Sequence, residues 1–114
     1  MNTKIKFGTD GFRGIIGEDF TPETVETITL ALAQYMFCGN VIIGYDPRNK
    51  ADEFAFYISD KLAHLGFTVE VSDRIIATPV LAYNALKKNA YAIMLTASHN
   101  PPEYLGIKFI PPYG

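Results

Sequence analysis

Two runs without a charged residue, Val41-Ile42-Ile43-Gly44-Tyr45 and Tyr91-Ala92-Ile93-Met94-Leu95, constrain the fold of this chain most. Each reads as a strand buried on both faces, the pattern of a parallel sheet covered by helices on either side. The segments around them have helical periodicity. Thr21-Pro22-Glu23 is a helix start, with Thr as N-cap, Pro at the first helical position and Glu near the positive end of the helix dipole. Val25, Ile28, Leu32, Tyr35 and Met36 follow at helical spacing, and Gly39 is placed to supply a left-handed C-cap. Phe54, Ile58, Leu62 and Leu65 mark a second helix closed by Gly66, and Thr78-Pro79 repeats the Thr cap and Pro start for a third.

Shorter strands complete the pattern. Lys4-Ile5-Lys6-Phe7 alternates as a half-buried strand does, Ile15-Ile16 is a second short one, and strands are expected at 67–71 and 107–110. The order β, β, α, β, α, β, α, β, β predicts one α/β domain over residues 1–114, with a mixed, mostly parallel sheet flanked by helices. The terminal strands are the ones expected to run antiparallel. The chain stops at Pro111-Pro112-Tyr113-Gly114, directly after a core-like strand. That ending predicts a domain truncated at its C-terminal side.

Composition narrows the function. A chain of 114 residues that is 48% hydrophobic and 19% charged can bury a core. Its net charge of -2, with Lys and Arg scattered, gives no footprint for nucleic acid. No apolar stretch reaches the roughly 20 residues of a membrane span, and the N-terminus lacks a signal peptide's apolar core, so a soluble cytoplasmic protein without a membrane partner is expected. The single cysteine, Cys38, forms no intramolecular disulfide and is expected in a helix's last turn. With two distant histidines it also has no zinc-ligand spacing.

Chemistry concentrates in two loops. Thr96-Ala97-Ser98-His99-Asn100-Pro101 follows the second buried run, where open α/β sheets present ligand-binding groups. As a bare hexapeptide it also reads as a turn. Gly8-Thr9-Asp10-Gly11-Phe12-Arg13-Gly14 sets an always-charged guanidinium among glycines whose N–H groups can converge on an anion. A hairpin-like turn with a solvent-facing Arg13 is the alternative. Ser98 beside His99 makes a poor nucleophile–base pair, because adjacent side chains diverge in extended chain. His64, set among apolar helix neighbours, is expected to be structural. A hydroxyl carrying a phosphoryl group fits better, since a phosphoserine wants cations nearby and Arg13 and Lys108 are available. Lys108 as a snorkelling strand residue is the bland alternative, as is Asp46 with Arg48 bracing their own loop as a local ion pair.

Thr96-Ala97-Ser98-His99-Asn100-Pro101 with Gly106-Ile107-Lys108-Phe109 resembles the α-D-phosphohexomutases. Phe7-Gly8-Thr9-Asp10-Gly11-Phe12-Arg13-Gly14 is similar to that family's N-terminal loop, and Gly44-Tyr45-Asp46-Pro47-Arg48 to its Gly-x-Asp-x-Arg strand end. The resemblance implies the first of four domains around one cleft. It implies that Ser98 is a phosphoserine that exchanges a phosphoryl group with a hexose phosphate through a bisphosphate intermediate. By the same carry-over Lys108, Arg13 and His99 are catalytic, and Thr9, Arg13, Asn100 and Lys108 bind substrate phosphate. Mg2+ would be held by the Ser98 phosphate and by an Asp-rich loop of a second domain. The missing domains of the same chain would then be partners, and the fragment alone would be inactive.

Two positions depart from the family pattern. Leu105 stands where an Asn is common, which is expected to remove a polar side chain near Lys108, and Asn49-Lys50-Ala51 replaces small hydroxyl residues. A non-catalytic phosphate- or phosphosugar-binding module is the alternative function.

Overall fold

The computed structural model describes residues 11–36, 39–48, 50–97 and 101–112. The elements are β1 (Phe12–Ile15), α1 (Pro22–Tyr35), β2 (Asn40–Tyr45), α2 (Ala51–His64), β3 (Thr68–Val71), α3 (Thr78–Lys88), β4 (Tyr91–Leu95) and β5 (Tyr104–Ile110). The strands form one sheet in the order β1-β5-β4-β2-β3. β2 pairs in parallel with both β3 and β4, whereas β5 is antiparallel to β4 and to β1. β1 to β4 therefore share one direction, and β5 alone runs against them. The consequence is functional. The loops that follow β1, β2, β3 and β4 all leave from one end of the sheet, and β5 enters there.

Alternation along the strands sorts the core into two layers. Phe12, Val41, Ile43, Tyr91, Ile93, Leu95, Leu105 and Ile107 face α1 and α2, packing with Phe20, Val25, Ile28, Phe54, Ile58 and Leu62. Ile42, Ala92 and Met94 face α3 through Leu81 and Ala85. Burial on both faces is why β2 and β4 read as uninterrupted apolar runs.

Thr21 caps α1 as expected, its hydroxyl accepting from Thr24 N at 3.2 Å, with Pro22 in the first turn. α1 stops earlier than Gly39, however. Its C-cap is Met36 in extended conformation, and Tyr35, expected on the apolar face, is 60% exposed. Thr78-Pro79 has the same signature as Thr21-Pro22, but there the cap is Ala77, Thr78 lies inside α3, and no side chain caps the helix. Gly66 does close α2 as expected, at φ +97°. The strand expected at 4–7 and Cys38 lie outside the described residues.

β1 corrects a further expectation. The local pattern predicts a glycine-rich loop up to Gly14 and a strand at 15–16; the strand spans Phe12–Ile15 instead. Phe12, buried in the core and stacked against Phe20 at 5.9 Å between ring centroids, pulls this stretch into the sheet. Arg13 thus stands on a strand rather than a loop.

Candidate phosphate-handling site

Arg13 pairs with Gly106 in the β1–β5 ladder, and Lys108 pairs with Met94 in the β4–β5 ladder. Lys108 lies two residues from Gly106 on β5, hence on the same face, about 7 Å along the strand. That face is the α3 face, because Met94 and Ile110 pack into the α3 layer. α3 itself packs on β2 and β4. Arg13 is exposed and Lys108 half-buried. The two cations named from the sequence therefore share one side of the sheet, on adjoining strands.

Thr96, the residue after β4, is held at the level of Arg13: its N–H donates to the Gly106 carbonyl at 3.0 Å. β4 thus delivers the chain to residue 97 at the sheet end where loops gather, with Arg13 alongside and Lys108 deeper. Gly106 is needed for this approach. A Cβ there would meet Phe12 O at 2.5 Å, Arg13 Cγ at 2.7 Å and Thr96 O at 2.8 Å. Thr9, Ser98, His99 and Asn100 lie outside the described residues.

His64 has no part in this arrangement. It ends α2 at the opposite end of the sheet, is exposed, and its Nδ1 lies 2.8 Å from the Asp60 carbonyl. Leu105 is also unrelated to Lys108. It is fully buried among the α1 and α2 core residues, on the far face of the sheet. The Asn-to-Leu departure from the family pattern is therefore a core change and removes nothing beside Lys108. In the second departure Lys50 adopts φ 65° at the start of α2 and Ala51 is fully buried, so a small residue at 51 is a packing requirement.

Residues that sequence reasoning underestimated stand at the end of β2. Asp46 and Arg48 do form the expected local pair, with Arg48 N donating to Asp46 Oδ1 at 3.0 Å and Arg48 Nε 3.7 Å from Asp46 Oδ2. They also reach across the sheet end. Thr96 Oγ1 donates to Asp46 Oδ2 at 2.5 Å, and Arg48 Nη1 donates to the carbonyls of Pro101 at 2.8 Å and Tyr104 at 3.3 Å. No local pattern announces these contacts.

Two cavities among the described residues are lined by neither Arg13 nor Lys108. One of about 260 Å³ lies between Ile16, Phe20 and the start of α2, and one of about 430 Å³ lies beside β3 and α3. No described helix is long and apolar enough to cross a membrane.

Residues 4–114 match the family described as phosphoglucomutase/phosphomannomutase, alpha/beta/alpha domain I. The chain is 40% identical over 104 residues to a phosphoglucosamine mutase of Thermotoga sp. (strain RQ2), covering 91% of this chain and 24% of that protein. It is 39% identical over 116 residues to a phosphoglucomutase of Staphylococcus aureus (strain USA300), covering 95% of this chain and 21% of that protein. A crystal structure assigned as a phosphomannomutase from Thermus thermophilus superposes with a TM-score of 0.93 at 40% identity, covering 98% of this chain and 26% of the other. The chain spans about a quarter of the length of the curated relatives it matches. With the family model matching residues 4–114 and the fold superposing on a solved relative, the chain belongs to the phosphoglucomutase/phosphomannomutase family, in which it corresponds to domain I.

Proposed function

We propose that this chain is the N-terminal, phosphoryl-carrying domain of a phosphohexomutase that interconverts the 1- and 6-phosphates of a hexose. The observation that carries the reading is the placement of Arg13 and Lys108 on one face of the sheet, beside the strand that leads to Ser98. Relatives named for glucosamine, glucose and mannose phosphates put the proposal at the level of a hexose phosphate.

In this reading phosphorylated Ser98 gives its phosphoryl group to a sugar hydroxyl. The Oγ–P bond breaks as the new O–P bond forms, and the proton leaving the sugar hydroxyl restores the Ser98 hydroxyl. The sugar bisphosphate then reorients and returns its other phosphoryl group to Ser98. Such transfers depend on positioning and on compensating charge across the phosphoryl oxygens. Arg13 supplies a fixed guanidinium and Lys108 an ammonium able to move a proton; His99, Thr9 and Asn100 complete the proposed set.

Among the described residues no group of three or more His, Cys, Asp or Glu side chains could hold a metal. In this proposal the phosphate on Ser98 is this chain's contribution to the Mg2+ site, and further domains supply the remaining ligands. The same division of the cleft implies that the 114-residue chain alone does not turn over hexose phosphates.

The test is intact mass and peptide mapping of the full-length protein purified without phosphatase. One phosphate on Ser98, lost on incubation with a hexose phosphate, is the expected result. An unmodified Ser98 that a hexose bisphosphate cannot phosphorylate overturns it in favour of a phosphosugar-binding module.

A further inference from the structure

The two ends of the loop containing Ser98 are tied to one charged pair in the loop that follows β2. At the incoming end, Asp46 Oδ2 accepts from the Thr96 hydroxyl. At the outgoing end, Arg48 Nη1 donates to the Pro101 carbonyl, which also accepts from Tyr104 N at 3.0 Å, and to the Tyr104 carbonyl. The carboxylate and the guanidinium are joined to each other, with side-chain exposures of 20% for Asp46 and 13% for Arg48. These contacts span 50 to 56 residues of sequence.

A pair that served only to brace its own loop would leave the guanidinium in solvent. Here one nitrogen serves two carbonyls, and the carboxylate's second oxygen holds a hydroxyl. Hydrogen bonds with one ionised partner are short and directional, so they fix position better than apolar contact does. The anchor is also stiff: Asp46 N donates to the Leu95 carbonyl at 3.2 Å, extending the β2–β4 ladder.

We propose that Asp46, Arg48 and Thr96 are positioning residues that clamp both ends of the Ser98 loop and set the serine for phosphoryl transfer. The inference rests on the function proposed above and adds a role for residues outside the cation face. Misplacing a reacting atom by about 1 Å can cost on the order of 10²-fold in rate.

The experiment is single-turnover phosphorylation of Ser98 by hexose 1,6-bisphosphate in the full-length protein, followed by mass. Arg48→Lys keeps the charge but loses the forked donor, and Thr96→Val loses the hydroxyl at nearly constant volume. Both are expected to lower the rate constant by roughly 10- to 100-fold, with little change in the bisphosphate concentration giving half the maximal rate. Thr96→Ser is expected to recover most of the loss. Partial unfolding lowers the amplitude and leaves the rate constant of the folded fraction intact, so a folding defect is not mistaken for misplacement. Wild-type rate constants in Arg48→Lys and Thr96→Val overturn the clamp, as does a Thr96→Ser variant as slow as Thr96→Val. A wild-type protein that is never phosphorylated on Ser98 overturns the functional reading itself, and the clamp with it.

Discussion

Gly106 lies directly opposite Arg13 across the β1–β5 ladder, and the space a side chain at 106 would need is partly filled by Arg13, whose Cγ stands 2.7 Å from that point. The other obstacles, the carbonyls of Phe12 and Thr96, are backbone and cannot swing aside. Gly106→Ala is therefore expected to destabilise the domain by about 1–3 kcal/mol and to displace Arg13. Urea denaturation measures the first effect. A variant as stable as the wild type would mean that the ladder is more pliable than this spacing implies.

Lys108 is half-buried, and Met94 is its ladder partner. Lys108→Met keeps most of the apolar stem and removes the ammonium. Stability is expected to change by less than about 1 kcal/mol. Ser98 phosphorylation in the full-length protein is expected to slow by about 10²- to 10⁴-fold, the usual range for a lost proton-transferring group. Parallel thermal melts and rate measurements separate the two; an unchanged rate would remove Lys108 from the catalytic set.

Thr21 accepts from Thr24 N and donates from its hydroxyl to Thr24 Oγ1 at 3.1 Å, closing the first turn of α1. Thr21→Ala is expected to cost about 1 kcal/mol. Ala77 caps α3 with no side-chain bond. Replacing it by Asp or Ser is the corresponding gain, of about the same size. Denaturation midpoints of the two variants should move in opposite directions.

Lys61 Nζ donates to Glu26 Oε2 at 3.0 Å and joins α2 to α1. The Glu26 hydrogen bond, then its charge, raise the Lys61 pKa above 10.5. A raised amine pKa stabilises the fold fully below the unfolded value and ceases to do so as pH climbs through the folded value. Lys61→Met is thus expected to melt below the wild type near neutral pH, with the gap closing above pH 10.5. Both groups are substantially solvent-exposed, so the effect is small and should shrink in salt. A gap that persists unchanged at high pH would assign it to lost packing of the Lys61 stem on Tyr57, whose ring centre lies 5.6 Å from Nζ.

Much of this protein is legible in one dimension. The runs at 41–45 and 91–95 became the parallel strands β2 and β4, and the periodicity of Phe54, Ile58 and Leu62 became the buried face of α2. Repeated apolar spacing survives folding because burying it is what the fold achieves. The family motifs were equally readable, since each is a short contiguous string. Local signals failed where two environments share one signature: Thr21-Pro22 and Thr78-Pro79 look alike, yet only the first threonine is a cap. Leu105 and Lys108 sit close in sequence, but strand alternation sends them to opposite faces of the sheet.

By itself, then, the sequence determined the α/β class and the order of the elements among the described residues, and picked out candidates for the chemistry, because each depends on neighbours within a few positions. Only the tertiary structure decided that Arg13 rides on a strand, that it shares a face with Lys108, and that Asp46 and Arg48 grip Thr96, Pro101 and Tyr104. The reason is physical. Which residues meet across a ladder or a sheet end follows from strand register and order, and both are set by packing the whole core at once.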